Sequence, residues 1–462
     1  MASRTDLLHS YQFRTQRVLS ALVMRETDPR QSPLRRGVGA VFAGIMVTIL
    51  AAAGFGIYGL ISKVGGDDWR QSGSVVVEKE TGASFVYIDN TLYPTLNLAS
   101  AMLAAGQPNP TVHRVASKSL AGVARGNPIG IPGAPDSLPP AGAQIGLPWT
   151  VCALTGTNSS GKPVPQVVLA VGLPTSAGAA LGDDAVLLTD ARLGLTYLIW
   201  HGYRHLIKSS TALTVIFGTA AETAVGTAWL NALPPGADIA PVPVSRRGER
   251  SSAAPDYHNG DVLLLNSLSG PQHYLVLDSG IIAITELEFA VINADATETP
   301  VTPIELKDPS VVARVGRPQL AETDPPATAP HLVAPDPAGS ICATTSANGA
   351  VHVITGATVD GLARATPTPG ISGNRVPLAD AVLVPAGRVS VLRAVLANDA
   401  TVGSYVVVTD IGVGYPVPDA TVLPLLGYSA TQAVDIPAYL ANLIPAGPAL
   451  DPSAAVIPFN EG

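Results

Sequence analysis

Eight residues from Gly156 to Pro163, GTNSSGKP, have the spacing that comes nearest to a known chemistry. G-x-x-x-x-G-K is the first part of a loop whose backbone N–H groups cradle phosphates while the lysine reaches the terminal ones. The next position must be Ser or Thr, so that its hydroxyl holds magnesium; here it is Pro163. Such a loop also follows a strand and opens a helix whose N-terminus faces the phosphate. Pro163-Val164-Pro165 leads instead into the strand-like run QVVLAV. The stretch therefore reads as a hairpin turn between two strands, and no nucleotide cofactor is expected.

The other reactive residues are scattered. His201 and His205 are four apart, but they flank a Gly202 turn in a strand pairing, and no third metal ligand is near. Asp67-Asp68 and Asp183-Asp184 read as solvated loop ends rather than an acid/base pair. No G-x-S-x-G elbow, H-E-x-x-H helix or paired-cysteine motif occurs. No catalytic, cofactor-binding or metal-ligating residue emerges. The two cysteines, Cys152 and Cys342, have 189 residues between them, and neither has a cysteine or histidine at ligand spacing. In an oxidising compartment an even pair reads as a disulfide. Closing so long a loop is worth about 5 kcal/mol by the chain-entropy estimate.

That compartment follows from one stretch. Val38 to Ile61, VGAVFAGIMVTILAAAGFGIYGLI, holds 24 residues without a charge. As a helix it is about 36 Å long, enough to cross a bilayer core of roughly 30 Å. Secretory signal cores are shorter and begin nearer the N-terminus, so an uncleaved anchor is expected. Residues 1–37 carry seven arginines against three acidic residues, a net of about +4. Positive charge stays on the cytoplasmic side, which puts this arm inside and the body outside. The arm reads as an amphipathic helix that includes Tyr11, Phe13, Arg14, Arg17 and Leu22, placed to meet a partner or the lipid surface. Asp28-Pro29 and Ser32-Pro33 are expected to end it. In the span, Ala40/Gly44 and Ala52/Gly56 sit four apart, the spacing at which helices pack closely in lipid.

The net charge of −8 leaves about −12 beyond the arm, which argues against nucleic acid as a partner. With 45 glycines and 41 prolines, long helices are disfavoured outside the membrane. There the sequence reads as α+β and β-rich. A small β-hairpin followed by a short helical run recurs four times, from Ser84, Ala185, Asp261 and Ser404. In the first copy Asp89-Asn90-Thr91 forms the turn and Asn97 starts the helix. Between the copies lie strand-like runs of a central β domain: WTVC, QVVLAV, VVARV, ICATT, VHVIT and ADAVLVPAGRVSVLRAV. The expected division is 1–37 arm, 38–61 membrane helix, 62–127 linker and repeat 1, and 128–180 first part of the central domain. Then follow 181–235 repeat 2, 236–310 linker and repeat 3, 311–403 second part of the central domain, 404–443 repeat 4, and 444–462 a Pro/Ala-rich tail.

These stretches, taken in order, resemble the EccB family of the type VII (ESX) secretion system of actinobacteria. The resemblance rests on SYQFRTQRVLSALVMRETDP with SPLRR before one span, then YPTLNLASAMLAAG, GIPGAP, WTVC, NALP, YLVLDSG, the lone Cys342, and VTDIGVGYPVPDA with LGY. It implies a single-pass plasma-membrane protein whose periplasm-facing part has four repeats around a central β domain, with a disulfide at the positions of Cys152 and Cys342. It also implies assembly with an FtsK/SpoIIIE-type ATPase, EccC, with EccD and EccE, and with further EccB copies. Some members are described as ATPases; Pro163 speaks against carrying that over. The expected function is a structural subunit that scaffolds an export channel, with an ATP hydrolase or a cell-wall-binding module as the alternatives.

Overall fold

The structure is a computed structural model. It describes residues 3–25, 34–61, 67–157, 160–268, 270–294, 301–315, 318–335, 339–346, 349–396 and 403–459. The chain divides into two compact units, Met1–Trp69 and Arg70–Gly462.

The first unit contains two long helices. Helix α1 (Arg4–Met24) opens with a capping box, in which the Ser3 hydroxyl accepts from the Asp6 N–H and the Asp6 carboxylate accepts from the Ser3 N–H. It stops at Arg25, whose left-handed φ of 56° ends the helix ahead of the proline pairs. Those pairs, Asp28-Pro29 and Ser32-Pro33, lie outside the described residues. Helix α2 (Leu34–Ile61) has 28 residues, of which Gly37–Ile57 are long and apolar enough to cross a membrane.

The second unit contains four small sheets and one larger one. In the first small sheet β1 (Ser74–Glu78), β2 (Ser84–Ile88) and β3 (Thr91–Thr95) form an antiparallel meander. Helix α3 (Leu98–Ala105) follows, β4 (Val112–Val115) returns parallel to β1, and β5 (Ala124–Arg125) lies along β3. The central sheet begins with β6 (Trp149–Thr157), β7 (Pro163–Val171) and β8 (Ala179–Ala180). The second small sheet has β9 (Val186–Asp190), β10 (Thr196–Trp200), β11 (Tyr203–Leu206), helix α4 (Ser210–Phe217) and β12 (Thr223–Val225); α5 (Thr227–Asn231) comes next. The third has β13 (Val262–Ser267), β14 (Gly270–Leu277), β15 (Gly280–Ile284), α6 (Glu286–Ala294) and β16 (Ile304–Glu305). The central sheet resumes with β17 (Ile341–Thr345), β18 (Val351–Thr355), β19 (Thr366–Pro367) and β20 (Ala381–Leu383). The fourth has β21 (Val389–Val395), β22 (Gly403–Thr409), β23 (Gly414–Val417), a 3-10 turn at Leu423–Leu426 and β24 (Val434–Pro437), before α7 (Ala438–Ala441) and α8 (Pro452–Ala455).

All four small sheets share one strand order, third–second–first–fourth. Each unit is thus longer than a hairpin plus helix, with one strand in front and one returning strand behind. Asp89 and Asn90 (φ 45° and 62°) form the tight turn between β2 and β3, and His201 and Gly202 (47° and 80°) do the same between β10 and β11. Asn97 caps α3, its side-chain oxygen accepting from the Ser100 N–H at 2.9 Å.

Two expectations need correction. VVARV is not a strand: Asp308 caps a 3-10 turn at Pro309–Val312, with proline at its first position. The run 381–395 is not one element of the central domain either. Gly387 (φ 70°) turns the chain, so Ala381–Leu383 joins the central sheet and Val389–Val395 is the first strand of the fourth small sheet. The edge between central domain and fourth repeat therefore falls before Val389 and not at 403.

Three of the small sheets cover the edge of their third strand in the same way. A downstream glycine N–H bonds the carbonyl before an aromatic residue, and the N–H three residues on bonds the carbonyl after it. The pairs are Gly126 to Leu92 and Ile129 to Pro94, Gly236 to Arg204 and Ile239 to Leu206, and Gly447 to Gly414 and Leu450 to Pro416. Each glycine lies flat on the ring between: an added Cβ would come within 2.3 Å of Tyr93, 2.3 Å of His205 and 2.5 Å of Tyr415. Paired edges cannot recruit foreign strands. The tail is the third of these covers, and α8 packs beside α3, so the last residues tie the fourth sheet to the first. A second core joins the central sheet to the second and fourth small sheets, and a third joins the second sheet to α6.

Candidate functional site

The residues that hold the central sheet together are the ones most completely enclosed. Cys152 on β6 stands directly opposite Cys342 on β17, their Cα atoms 4.0 Å apart, and the two are joined as a disulfide. Both are fully buried, among Ala170, Ala357, Val359 and Leu383. Trp229 on α5 enters the other side. Its indole N–H donates to Ile341 O at 2.9 Å and Val151 O at 3.1 Å, one carbonyl from each bridged strand. Buried carbonyls without a donor are costly, so this peg fixes α5 and the second sheet on the central one. Nothing in the sequence singled out Trp229; a tryptophan next to NALP reads only as core.

The glycine–lysine loop is the connection of the β6–β7 hairpin, with Thr157 paired to Pro163 and Gly161 left-handed at φ 74°. Asn158 and Ser159 lie outside the described residues. The element that follows it among the described residues is strand β7, not the helix that a phosphate-binding loop opens.

His201 and His205 point to different partners. His201, in the β10–β11 turn, is bonded through Nε2 to Asp183 at 2.9 Å and stacks on Trp200 with ring centroids 3.7 Å apart. The neighbouring Asp184 bonds His331 at 3.0 Å, so Asp183-Asp184 ties a turn and a loop together. His205 is fully buried, and its Nδ1 donates to Ala237 O at 2.8 Å. Asp278, in the β14–β15 turn, has its carboxyl held below the usual carboxylate range by hydrogen bonds from Ser252. Among the described residues no three His, Cys, Asp or Glu groups converge to hold a metal. A cleft of about 600 Å³ beside β18 is walled by His201, Tyr203, Glu322 and His352, without a nucleophile paired to a base.

In the first unit, Tyr11, Phe13 and Leu22 are exposed on α1, and the Arg17 guanidinium lies 5.0 Å from the Phe13 ring centroid. In α2 a Cβ added at Gly44 or Gly56 would meet nothing within 4 Å.

Comparison with known proteins gives consistent relatives. The chain is 28% identical over 319 residues to the ESX-1 secretion system ATPase EccB1 of Mycobacterium tuberculosis, covering 66% of this chain and 64% of that one. It is 30% identical over 330 residues to the ESX-5 secretion system ATPase EccB5 of the same species, covering 68% and 63%. The matched stretch thus spans just under two thirds of these relatives' length. A chain of the intact ESX-5 inner membrane complex superposes with a TM-score of 0.63 at 25% identity, over 100% of this chain and 96% of that chain. The EccB3 dimer from the ESX-3 core complex superposes with a TM-score of 0.61 at 25% identity, over 83% of this chain and 100% of that chain. The family model described as type VII secretion system ESX-1, transport TM domain B, matches residues 2–460, and the chain therefore belongs to that family, EccB.

Proposed function

We propose that this chain is a structural subunit of a type VII secretion membrane complex, scaffolding the assembly of its export channel. The observation that carries this is the likeness, over the whole chain, to a chain of an intact ESX-5 inner membrane complex. The stapled centre of the second unit supports it: a disulfide joins β6 to β17, and the buried Trp229 indole donates to a carbonyl of each, as in a rigid body.

In this reading the arm lies in the cytoplasm, α2 crosses the plasma membrane once, and the second unit faces the periplasm. The excess of arginine before the span supports that orientation. The partners are an EccC-type FtsK/SpoIIIE ATPase, EccD, EccE and further EccB copies. Tyr11, Phe13, Arg14, Arg17 and Leu22 would meet them from the arm. Ala40, Gly44, Ala52 and Gly56 would let neighbouring helices approach in lipid. The division between arm, span, four repeats, central domain and tail is part of the same proposal, with the fourth repeat starting at Val389.

The test is co-purification. Arg14→Glu with Arg17→Glu should cut recovery of the partner proteins about tenfold or more while the chain stays in the membrane. Lys162→Ala should leave recovery unchanged. The relatives' name, ATPase, supplies the alternative. It would stand if purified wild-type chain hydrolysed ATP and Lys162→Ala abolished turnover with assembly intact.

A further inference from the structure

The three edge covers place one titratable ring where the other two have tyrosine. Tyr93, His205 and Tyr415 each lie beneath the glycine of the segment that seals their sheet. His205 is fully buried, and its Nε2 has no hydrogen-bond partner among the described residues. Nδ1 donates to Ala237 O, so in the neutral ring Nε2 carries a bare lone pair. Ala237 in turn donates its N–H to Thr323 O at 2.8 Å. Thr323 belongs to the proline-rich segment 318–335, which runs on past Ala327, a bond partner of Leu287 in α6, to His331 and Val333, both bonded to Ala185. One ring thus underlies both the cover of the second sheet and the strap that joins it to the third.

We infer that His205 makes this clasp sensitive to acid: protonating its ring releases residues 234–239 and the strap at 318–328 from the second sheet. The charged groups around it are few. Asp238 comes from the cover and is already ion-paired to Lys208 at 2.7 Å. Asp324 comes from the strap and accepts the Ala321 N–H at 2.8 Å. Across on β10 the register partner is the apolar Leu198. Tyr203 sits two residues before it on β11, with the Glu322 charge of the strap acting on it, and Arg204, on the opposite face, is held by Asn231 at 2.9 Å. A second N–H on the ring would therefore find no acceptor without backbone movement, and Gly236 lies in the way.

Burial pushes the His205 imidazole below its ordinary value of 6.5, against the smaller pull of the Ala237 carbonyl and of Asp324 and Asp238. The folded clasp thus binds fewer protons than the opened one. Its stability is complete above about pH 6.5 and is lost as the pH falls below it, by up to about tenfold per pH unit. Burial pushes the Tyr415 phenol beneath the fourth sheet's cover up, further from this range.

Hydrogen exchange of the full-length chain in detergent, corrected for intrinsic rates, tests this at pH 7.5 and pH 5.5. Peptides covering 234–240 and 318–328 should lose about tenfold in protection at the lower pH, while 124–130 and 445–451 keep theirs. His205→Tyr, which installs the residue used beneath the other covers, should abolish the difference; His205→Gln does the same if tyrosine does not fit. Equal protection at both pH values, the same loss in all three covers, or the same loss in the variants would overturn the inference.

Discussion

Cys152 and Cys342 are bridged from opposite positions of neighbouring antiparallel strands, with a sequence separation of 190. Removing the bridge frees a loop whose closure is worth about 5 kcal/mol in the chain-entropy estimate. Cys152→Ser should lower the melting temperature and leave a Cys342 thiol that maleimide reaches only after unfolding, since the site is fully buried. A wild-type chain that labels in denaturant without reductant would show that the bridge is not formed. Trp229 was not legible, because its value lies in two carbonyls contributed by strands far away in the chain. The clasp glycines were hidden for a related reason. Gly126, Gly236 and Gly447 sit in no left-handed turn, and what marks each is the ring that it touches.

The hairpins of the small sheets were legible where turn chemistry is strong. Asp89-Asn90 and His201-Gly202 take left-handed conformations in two-residue turns, and Asn97 has the side chain a helix start needs. The first strands of the first and fourth units, and the returning strand of every unit, were less so. Returning strands such as VHRV, TAV and IE are two to four residues long, lack alternation, and pair in parallel across a helix, so nothing local marks them. The boundary error at 381–395 has the same origin: two apolar strands in succession read as one domain until Gly387 is seen to send them to different sheets. The tail could be read either as a strap or as a loose end. It seals β23 through Gly447 and Leu450, and places α8 on α3. Deleting 445–462 should uncover that edge and remove the α8 tie between the first and fourth sheets, leaving α3 on the Leu423–Leu426 turn and their shared core. We expect a loss of several degrees in melting temperature and concentration-dependent aggregation, read by thermal unfolding with light scattering. A truncated chain as stable and monodisperse as the full one would contradict the clasp's structural role.

One apolar helix, a basic arm before it and a β-rich body with two cysteines after it fit the proposed single-pass scaffold, and they were readable from apolar length, charge, cysteine count and the hairpin runs. The family follows from the match over residues 2–460. Copy number and partner contacts were not readable, because they depend on surfaces that matter only against another chain. A tagged chain expressed in its own cells and extracted gently from the membrane, then run on a native gel with mass spectrometry of the band, tests the scaffold most directly. The account predicts a particle far larger than the 47.2 kDa chain, carrying an FtsK/SpoIIIE-type ATPase, a multispan partner and more than one copy of this chain. Migration as a lone monomer or dimer, with no ATPase beside it, would contradict it.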